Sequence, residues 1–313
     1  MKIYSVYINE KENFPLNYLI QRISETYKIK ITNKKDEANI LFIRLKQKFD
    51  IFQLKNFKKL KYLCTATTGL THIDQNYLKN FDIELISLAG ESTFLKDIRT
   101  TADLALSMIL SAQTLMINSS NAVFDGSFNR NNFFRNGFKN THIGILGLGR
   151  LGTLVAEYLY QLGFKVFFFD IKEVKYDNKM ITKCDSLEEL FRSCRIISLH
   201  IDFNENNRGL VNRKLLFINP PYKIVNTSRA EIFESSEIDF CINKNILDQY
   251  LTDVLEEEPF DLINTVEDSK LWNLQKKYGM KSILITPHVG GACWDSLKKC
   301  EVFLINKLFK ILN

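Results

Sequence analysis

The sequence predicts an α/β fold of two doubly wound domains, each built on a parallel sheet. Two observations carry this. Short apolar runs alternate with stretches of helical spacing, the pattern of parallel strands joined by crossover helices. The length of 313 residues, at 45% hydrophobic and 25% charged, is ordinary globular composition and more than one domain usually holds.

The elements follow in order. Residues 2–8 (KIYSVYI) read as a strand, and 15–27 as a helix with Pro15 suited to its first turn. Further strands are expected at 38–45 (ANILFIRL), 62–66 (YLCTA) and 83–88 (IELISL). A long helical pattern runs from about 95 to 116, and the crossover between domains is placed within it. The Asn-rich stretch 118–140 has weak periodicity and reads as a connector or an arm around a partner subunit. A second alternating series begins with the strand 142–146 (HIGIL), the helix 150–162 and the strand 165–169 (KVFFF). Strands are then expected at 196–200, 223–227 and 282–285, before a last helix at 294–312 with Leu297, Val302, Ile305, Leu308 and Ile311 on its apolar face. The domains expected are 1–112, completed by 293–313, and 113–292 between them.

Bulk properties narrow the function. The net charge of +6 attracts anions weakly and favours a small acidic substrate. The densest basic run, 55–61 (KNFKKLK), is short and reads as a solvated face, so no nucleic-acid partner is expected. The six cysteines are scattered without a C-x-x-C pair, as in a reduced cytoplasmic protein. The four histidines lack zinc-ligand spacing, so no metal site is expected. The first residues hold no long apolar core of a leader, and no apolar run reaches membrane-spanning length, so no membrane partner is expected.

Residues 144–152 read G-I-L-G-L-G-R-L-G and contain Gly147-x-Gly149-x-x-Gly152. The motif follows a predicted strand and opens a predicted helix, and Asp170 stands 18 positions after Gly152 at the end of the next strand. That context is the dinucleotide-binding pattern of a Rossmann domain. Gly147 permits the tight turn, Gly149 lets the backbone approach a pyrophosphate, and Gly152 lets the helix lie close to the sheet. The helix N-terminus offers free N–H groups to phosphate. Asp170 would accept hydrogen bonds from ribose hydroxyls and repel a 2′-phosphate, which favours NAD over NADP; Lys172 nearby softens that repulsion.

Three further segments place polar residues just beyond apolar strands or before a proline. They are V-N-T-S-R-A at 225–230 with Arg229, D-V-L-E-E-E-P-F at 253–260 with Glu258, and T-P-H-V-G-G at 286–291 with His288. Ligands of parallel sheets bind beyond the carboxyl ends of strands, so the three side chains are expected to converge there.

With these motifs the chain resembles the D-isomer-specific 2-hydroxyacid dehydrogenases, the family that includes D-3-phosphoglycerate dehydrogenase. The glycine turn with Asp170, N-T-S-R-A, D-V-L-E-E-E-P and T-P-H-V-G-G occur in the family's order, and T-T-G-L-T-H-I-D at 67–74 adds a match in the first domain. The resemblance implies a flavodoxin-like substrate domain beside the NAD domain, and a homodimer. It implies that His288 is the acid/base, Glu258 its carboxylate partner, and Arg229 the guanidinium that holds the substrate carboxylate and polarises the C2 carbonyl. It implies that Arg150 and Leu151 meet the pyrophosphate, that Thr227 and Asp253 lie near the nicotinamide, that Gly290 belongs to the cofactor-binding set, and that Thr68 and Gly69 meet the substrate carboxylate.

The implied reaction is hydride transfer between NAD and C2 of a small D-2-hydroxy acid or its 2-oxo acid. A base must take the hydroxyl proton as hydride leaves, and an imidazole with a pKa near about 6.5 suits that exchange. Arginine is always charged and grips a carboxylate through two N–H bonds. A second reading keeps the fold but makes the chain a catalytically weak NAD-sensing binding protein. A formate dehydrogenase, which pairs its histidine with glutamine, is disfavoured by Glu258. The chain departs from the family pattern at Ala230, Asp202 and Asp103, where glycine, proline and glutamate are usual.

Overall fold

A computed structural model of the chain describes residues 3–10, 18, 28–45, 47–177, 179–256, 258 and 266–312. It divides into two compact units: Met1–Ile98 with Cys293–Asn313, and Arg99–Glu258 with a continuation to Ala292. The helix expected at 15–27 lies outside the described residues, apart from Tyr18.

The first unit is a five-stranded parallel sheet of β1 (Ile3–Ile8), β2 (Lys28–Ile31), β3 (Ile40–Ile43), β4 (Tyr62–Thr65) and β5 (Glu84–Ile86), in the order β2-β1-β3-β4-β5. Strand β3 is buried along its whole length because both faces of the sheet are covered. Ile40 and Phe42 enter a cluster with Val6, Ile8 and the last helix, while Leu41 and Ile43 enter one with Leu54, Leu63 and Leu78.

The last helix, Trp294–Leu312, buries Cys300, Glu301, Leu304, Ile305, Leu308 and Phe309. Its inner face is therefore rotated from the expected one: Ile311 is exposed, and Leu297 and Val302 are only half-buried. The reason is a polar pin that hydrophobic spacing does not reveal. Glu301 lies inside, where Arg44, just past β3, donates from Nε to its Oε1 at 2.6 Å. Burial of each large apolar side chain on this helix contributes about 1.5–3 kcal/mol.

The second unit is a seven-stranded sheet of β6 (His142–Leu146), β7 (Lys165–Phe169), β8 (Ile181–Lys183), β9 (Ile196–Leu199), β10 (Tyr222–Asn226), β11 (Leu247–Thr252) and β12 (Ile283–Ile285). The order is β12-β11-β10-β9-β6-β7-β8 and every pairing is parallel. Chain order reverses between β6 and β9, which creates a switch point at the carboxyl ends of the strands. Neighbouring residues of β10 serve opposite faces, Ile224 in one core cluster and Val225 in the other.

The helical stretch expected at 95–116 is broken. Ser92–Leu95 is a separate turn in the first unit, and Thr100–Thr114 belongs to the second. The longer piece buries Ala102, Ala105 and Ala112, small residues that let it lie close against Ile143, Val225 and Leu251 of the sheet. The chain thus passes between units at Ile98, at the start of this helix, rather than near 112. Leu115, at φ 55°, ends it, and a further helix, Met116–Phe124, occupies the start of the expected connector.

Candidate active site

The glycine turn joins β6 to the helix Arg150–Gln161. Gly147 has φ +93°, and a Cβ there would meet the backbone of His200 at 2.9 Å. A Cβ on Gly152 would sit 2.1 Å from the carbonyl oxygen of Gly147, so the helix can close on the turn only without a side chain at that position. Gly149 is the helix N-cap, with no side-chain cap and no atom within 4 Å of where its Cβ would be. The backbone at Gly149 is therefore open to close approach at the start of the helix, and backbone N–H groups at a helix N-terminus are the chemistry a pyrophosphate requires. Asp170, just past β7, accepts from the backbone N–H of Leu148 at 2.8 Å through Oδ2 and from that of Lys172 at 2.8 Å through Oδ1. Each oxygen keeps a free lone pair for a ribose hydroxyl.

His288 follows β12 in a left-handed backbone conformation, φ 51°, unusual for a residue with a side chain. Its Nδ1 lies 2.7 and 2.8 Å from the two carboxylate oxygens of Glu258. That hydrogen bond raises the imidazole pKa above its ordinary value, against the opposing effect of burial. The negative charges of Glu258 and Asp253 add to the rise, and the positive charge of Arg229 reduces it. Glu258 occupies Nδ1 and fixes the tautomer, leaving Nε2 as the atom that can exchange a proton with a ligand.

Asp253, 2% exposed beyond β11, holds the turn that carries His288. Its Oδ1 accepts from the Thr286 hydroxyl at 2.5 Å and the Val289 N–H at 2.8 Å, and its Oδ2 accepts from the Gly290 N–H at 2.7 Å. Gly290 is buried, and its carbonyl accepts from the Thr101 hydroxyl at 3.0 Å. The backbone polar groups of Gly290 are thus both bonded within the protein.

Arg229 and Thr227 lie in the loop after β10. Asn226, fully buried, organises it: its Oδ1 accepts from Ser228 N–H at 3.0 Å and its Nδ2 donates to the Arg229 carbonyl at 2.9 Å. The Ser228 hydroxyl donates to the Ile201 carbonyl. The Arg229 guanidinium donates from Nη1 to the Ser228 carbonyl at 2.8 Å, which leaves further N–H groups to bind an anion. The Thr227 hydroxyl is buried without a hydrogen-bond partner among the described residues. A buried orphan hydroxyl is costly and points to a ligand that satisfies it. With the open glycine turn, it shows that these residues fit a dinucleotide.

Thr68 and Gly69 lie in the loop after β4 of the first unit. The Thr67 hydroxyl donates to the Gly69 carbonyl at 2.9 Å, and Thr68 is exposed. Asp74, which closes the same motif, accepts from Tyr77 N–H at 2.9 Å and caps the helix Gln75–Asn80, so its role is local. In the second unit the geometry brings Arg229, Glu258, His288 and Asp253 into one electrostatic neighbourhood. Asn226 and Thr101 were not singled out from sequence. The hydroxyl of Thr101 carries no signal in an otherwise apolar helical pattern, but the N-T-S-R sequence, with an Asx turn available to its first residue, could have identified Asn226.

Residues 106–290, more than half of the chain, match the family model of the D-isomer specific 2-hydroxyacid dehydrogenase NAD binding domain. The chain is 24% identical over 280 residues to a hydroxypyruvate reductase of Thermotoga maritima, covering 88% of this chain and 86% of that protein. It is 23% identical over 275 residues to a glyoxylate reductase of Thermococcus litoralis, covering 85% and 78%. In fold it is similar to a D-lactate dehydrogenase from Aquifex aeolicus solved with NAD and lactic acid, with a TM-score of 0.79 at 20% identity over 98% of this chain and 95% of that one. The chain belongs to the D-isomer-specific 2-hydroxyacid dehydrogenases, the NAD-dependent oxidoreductases of CH–OH donors.

Proposed function

We propose that the chain interconverts a short D-2-hydroxy acid and its 2-oxo acid, with His288 as acid/base, Glu258 as its partner and Arg229 as the carboxylate-binding group. The observation that carries this is the contact of both Glu258 oxygens with His288 Nδ1, at 2.7 and 2.8 Å, in the field of Arg229. NAD, when bound, carries the hydride. Gly147, Gly149, Arg150, Leu151 and Gly152 would hold its pyrophosphate, Asp170 its adenosine ribose, and Thr227 and Asp253 its nicotinamide end, with Gly290 shaping the cofactor site through its bonds to Asp253 and Thr101.

The protein's part is proton and charge handling. Glu258 raises the pKa of His288 and so favours its protonated form, which gives the Nε2 proton to the carbonyl oxygen as that oxygen becomes a hydroxyl. In the oxidation direction it takes the proton back. Arg229 binds the carboxylate and stabilises charge growing on the C2 oxygen, an effect worth about 3 kcal/mol for comparable donors. Thr68 and Gly69 of the first unit, the substrate domain in this reading, are the residues that the family resemblance assigns to substrate binding there.

We also propose a homodimer and a reducing, cytoplasmic setting. The segment after the long helix exposes Phe124 at 92%, Phe128 at 94% and Phe134 at 76%, a cost in water that a second copy would remove. Sedimentation should give twice the chain mass of 36.5 kDa; a monomer excludes the pairing. All six cysteines are free thiols. No single helix among the described residues is long and apolar enough to cross a membrane.

The test of function is oxidation of NADH and NADPH with glyoxylate, hydroxypyruvate and pyruvate. Turnover with at least one acid and NADH, abolished in His288→Ala, is expected. Absence of turnover with every acid overturns the enzymatic reading and favours an NAD-sensing protein.

A further inference from the structure

We infer that Thr101, on the first turn of the long helix, is a positioning residue that holds the His288 turn in its working shape. This rests on the acid/base role proposed above for His288.

His288 sits at φ 51°, which a residue with a Cβ adopts only when its surroundings enforce it. Within the turn, the His288 N–H donates to the Thr286 carbonyl at 3.0 Å, a tight closure that neighbours must support. Support comes from two sides. Asp253 takes the Thr286 hydroxyl and the N–H groups of Val289 and Gly290. Thr101 takes the other end of the same residue, its hydroxyl donating to the Gly290 carbonyl at 3.0 Å.

Packing reinforces the grip. A Cβ on Gly290 would lie 3.0 Å from Asp253 Oδ2, 3.2 Å from Thr101 Cγ2 and 3.3 Å from Thr101 Oγ1. Gly290 is therefore wedged between the two residues, and its lack of a side chain lets both reach it. Neither grip is redundant. Asp253 fixes the N–H side of residues 289 and 290 and Thr101 fixes the carbonyl side, so the peptide after Gly290 cannot rotate while both bonds stand.

The place of these bonds in the chain gives them a second consequence. Thr101 lies two residues after Arg99, where the second unit begins, and Gly290 lies two residues before Ala292, where it ends. The Thr101–Gly290 bond therefore ties the segment entering the unit to the segment leaving it. The leaving segment is the continuation of the histidine turn. Loss of the tie lets the exit segment move and carries His288 with it, away from Glu258.

The charged groups at His288 are Glu258 and Asp253, which favour its protonated form, and Arg229, which opposes it. A turn loosened from Glu258 loses the largest favourable contribution, so its imidazole titrates lower.

The experiment compares Thr101→Val, which keeps the shape and removes the hydroxyl, with Thr101→Ser, which keeps the hydroxyl. Reduction of the best 2-oxo acid and the titration of the His288 ring by nitrogen NMR are measured on each full-length protein, with a thermal melt to establish folding. Thr101→Val should lower kcat roughly tenfold, with KM for NADH changed less than about twofold. It should also move the His288 titration, and with it the alkaline limb of the rate profile, down by about half a unit or more. Thr101→Ser should restore both. A folded Thr101→Val protein whose His288 titrates as in the wild type overturns the inference, as does Thr101→Ser with the same defect as valine. If the wild type reduces no 2-oxo acid, the proposed enzyme falls, yet the ring titration still decides whether Thr101 positions His288.

Discussion

Glu258 and Glu301 are both largely withdrawn from solvent, at 18% and 2% side-chain exposure, and each faces a base, the first an imidazole and the second a guanidinium. The partners separate their fates. Glu258 places both oxygens at one ring nitrogen and raises the pKa of His288. Glu301 engages Arg44 through Oε1, while its buried Oε2 has no hydrogen-bond partner among the described residues. Burial pushes the Glu301 carboxyl up to about 7, outweighing the attraction of Arg44, and the charge of Glu10 pushes the same way. One glutamate thus changes the proton affinity of its neighbour, and the other has its own proton affinity changed. A buried acid is useful for catalysis when it is fully paired to a group that can meet substrate; paired to arginine and half satisfied, it pins an element instead.

The largest effect that could break this contrast is at the histidine. His288→Ala should lower kcat for 2-oxo acid reduction about a thousandfold, measured at saturating NADH. A loss of less than about tenfold would remove the acid/base role and with it the distinction drawn for Glu258.

Glu258→Gln sharpens the contrast. Because the folded pKa of His288 is raised, protonation of the ring stabilises the fold fully below its ordinary value of 6.5, and that contribution is lost as pH rises through the raised value. Reduction needs the protonated ring, so activity should fall over the same upper window. Glu258→Gln should move that alkaline limb to lower pH and cost about a hundredfold in kcat at pH 8. A limb left in place would mean that Glu258 does not tune the ring.

Asp170→Ala should lower the ratio of kcat/KM for NADH over NADPH by about tenfold, a difference of roughly 1.4 kcal/mol. An unchanged ratio would take Asp170 out of coenzyme choice.

The smallest effect is at Glu301. Its folded pKa of about 7 lies above the ordinary 4.5, so the native state holds more protons between those values. The stabilising contribution is present below 4.5 and declines as pH rises toward 7. Glu301→Gln should therefore flatten the pH dependence of Tm across that interval and leave kcat within about twofold of wild type. A steep dependence that persists in the variant would place the titration elsewhere.

Most strands were legible in the sequence; β2, β8 and β11 were not, and at β11 the cause is visible. Strand β11 (LDQYLT) is central and buried, yet its apolar run is broken by Asp248 and Gln249. Gln249 is 3% exposed and donates to the Lys281 carbonyl at 3.1 Å and to Asn118, so a tertiary partner replaces hydrophobicity. The break in the long helical stretch escaped because residues 95–116 keep helical spacing throughout, and nothing local marks the left-handed Leu115. The rotated face of the last helix escaped because Glu301 counts as polar until Arg44 is seen beside it. At the site, the positions of His288, Glu258 and Arg229 beyond strands could be read from motif order. What could not be read is how their loops are held: Asn226, Asp253 and Thr101 work through backbone groups, which are the same in every sequence.

The left-handed angle at His288 bears on how an inert form of the protein should be made. Alanine at that position removes the imidazole but also disfavours the turn, so the residues around it can relax. Asparagine tolerates the same φ and cannot deliver an acidic proton. His288→Asn is therefore the better choice for trapping coenzyme and oxo acid together, because it silences the chemistry while the pocket keeps its shape.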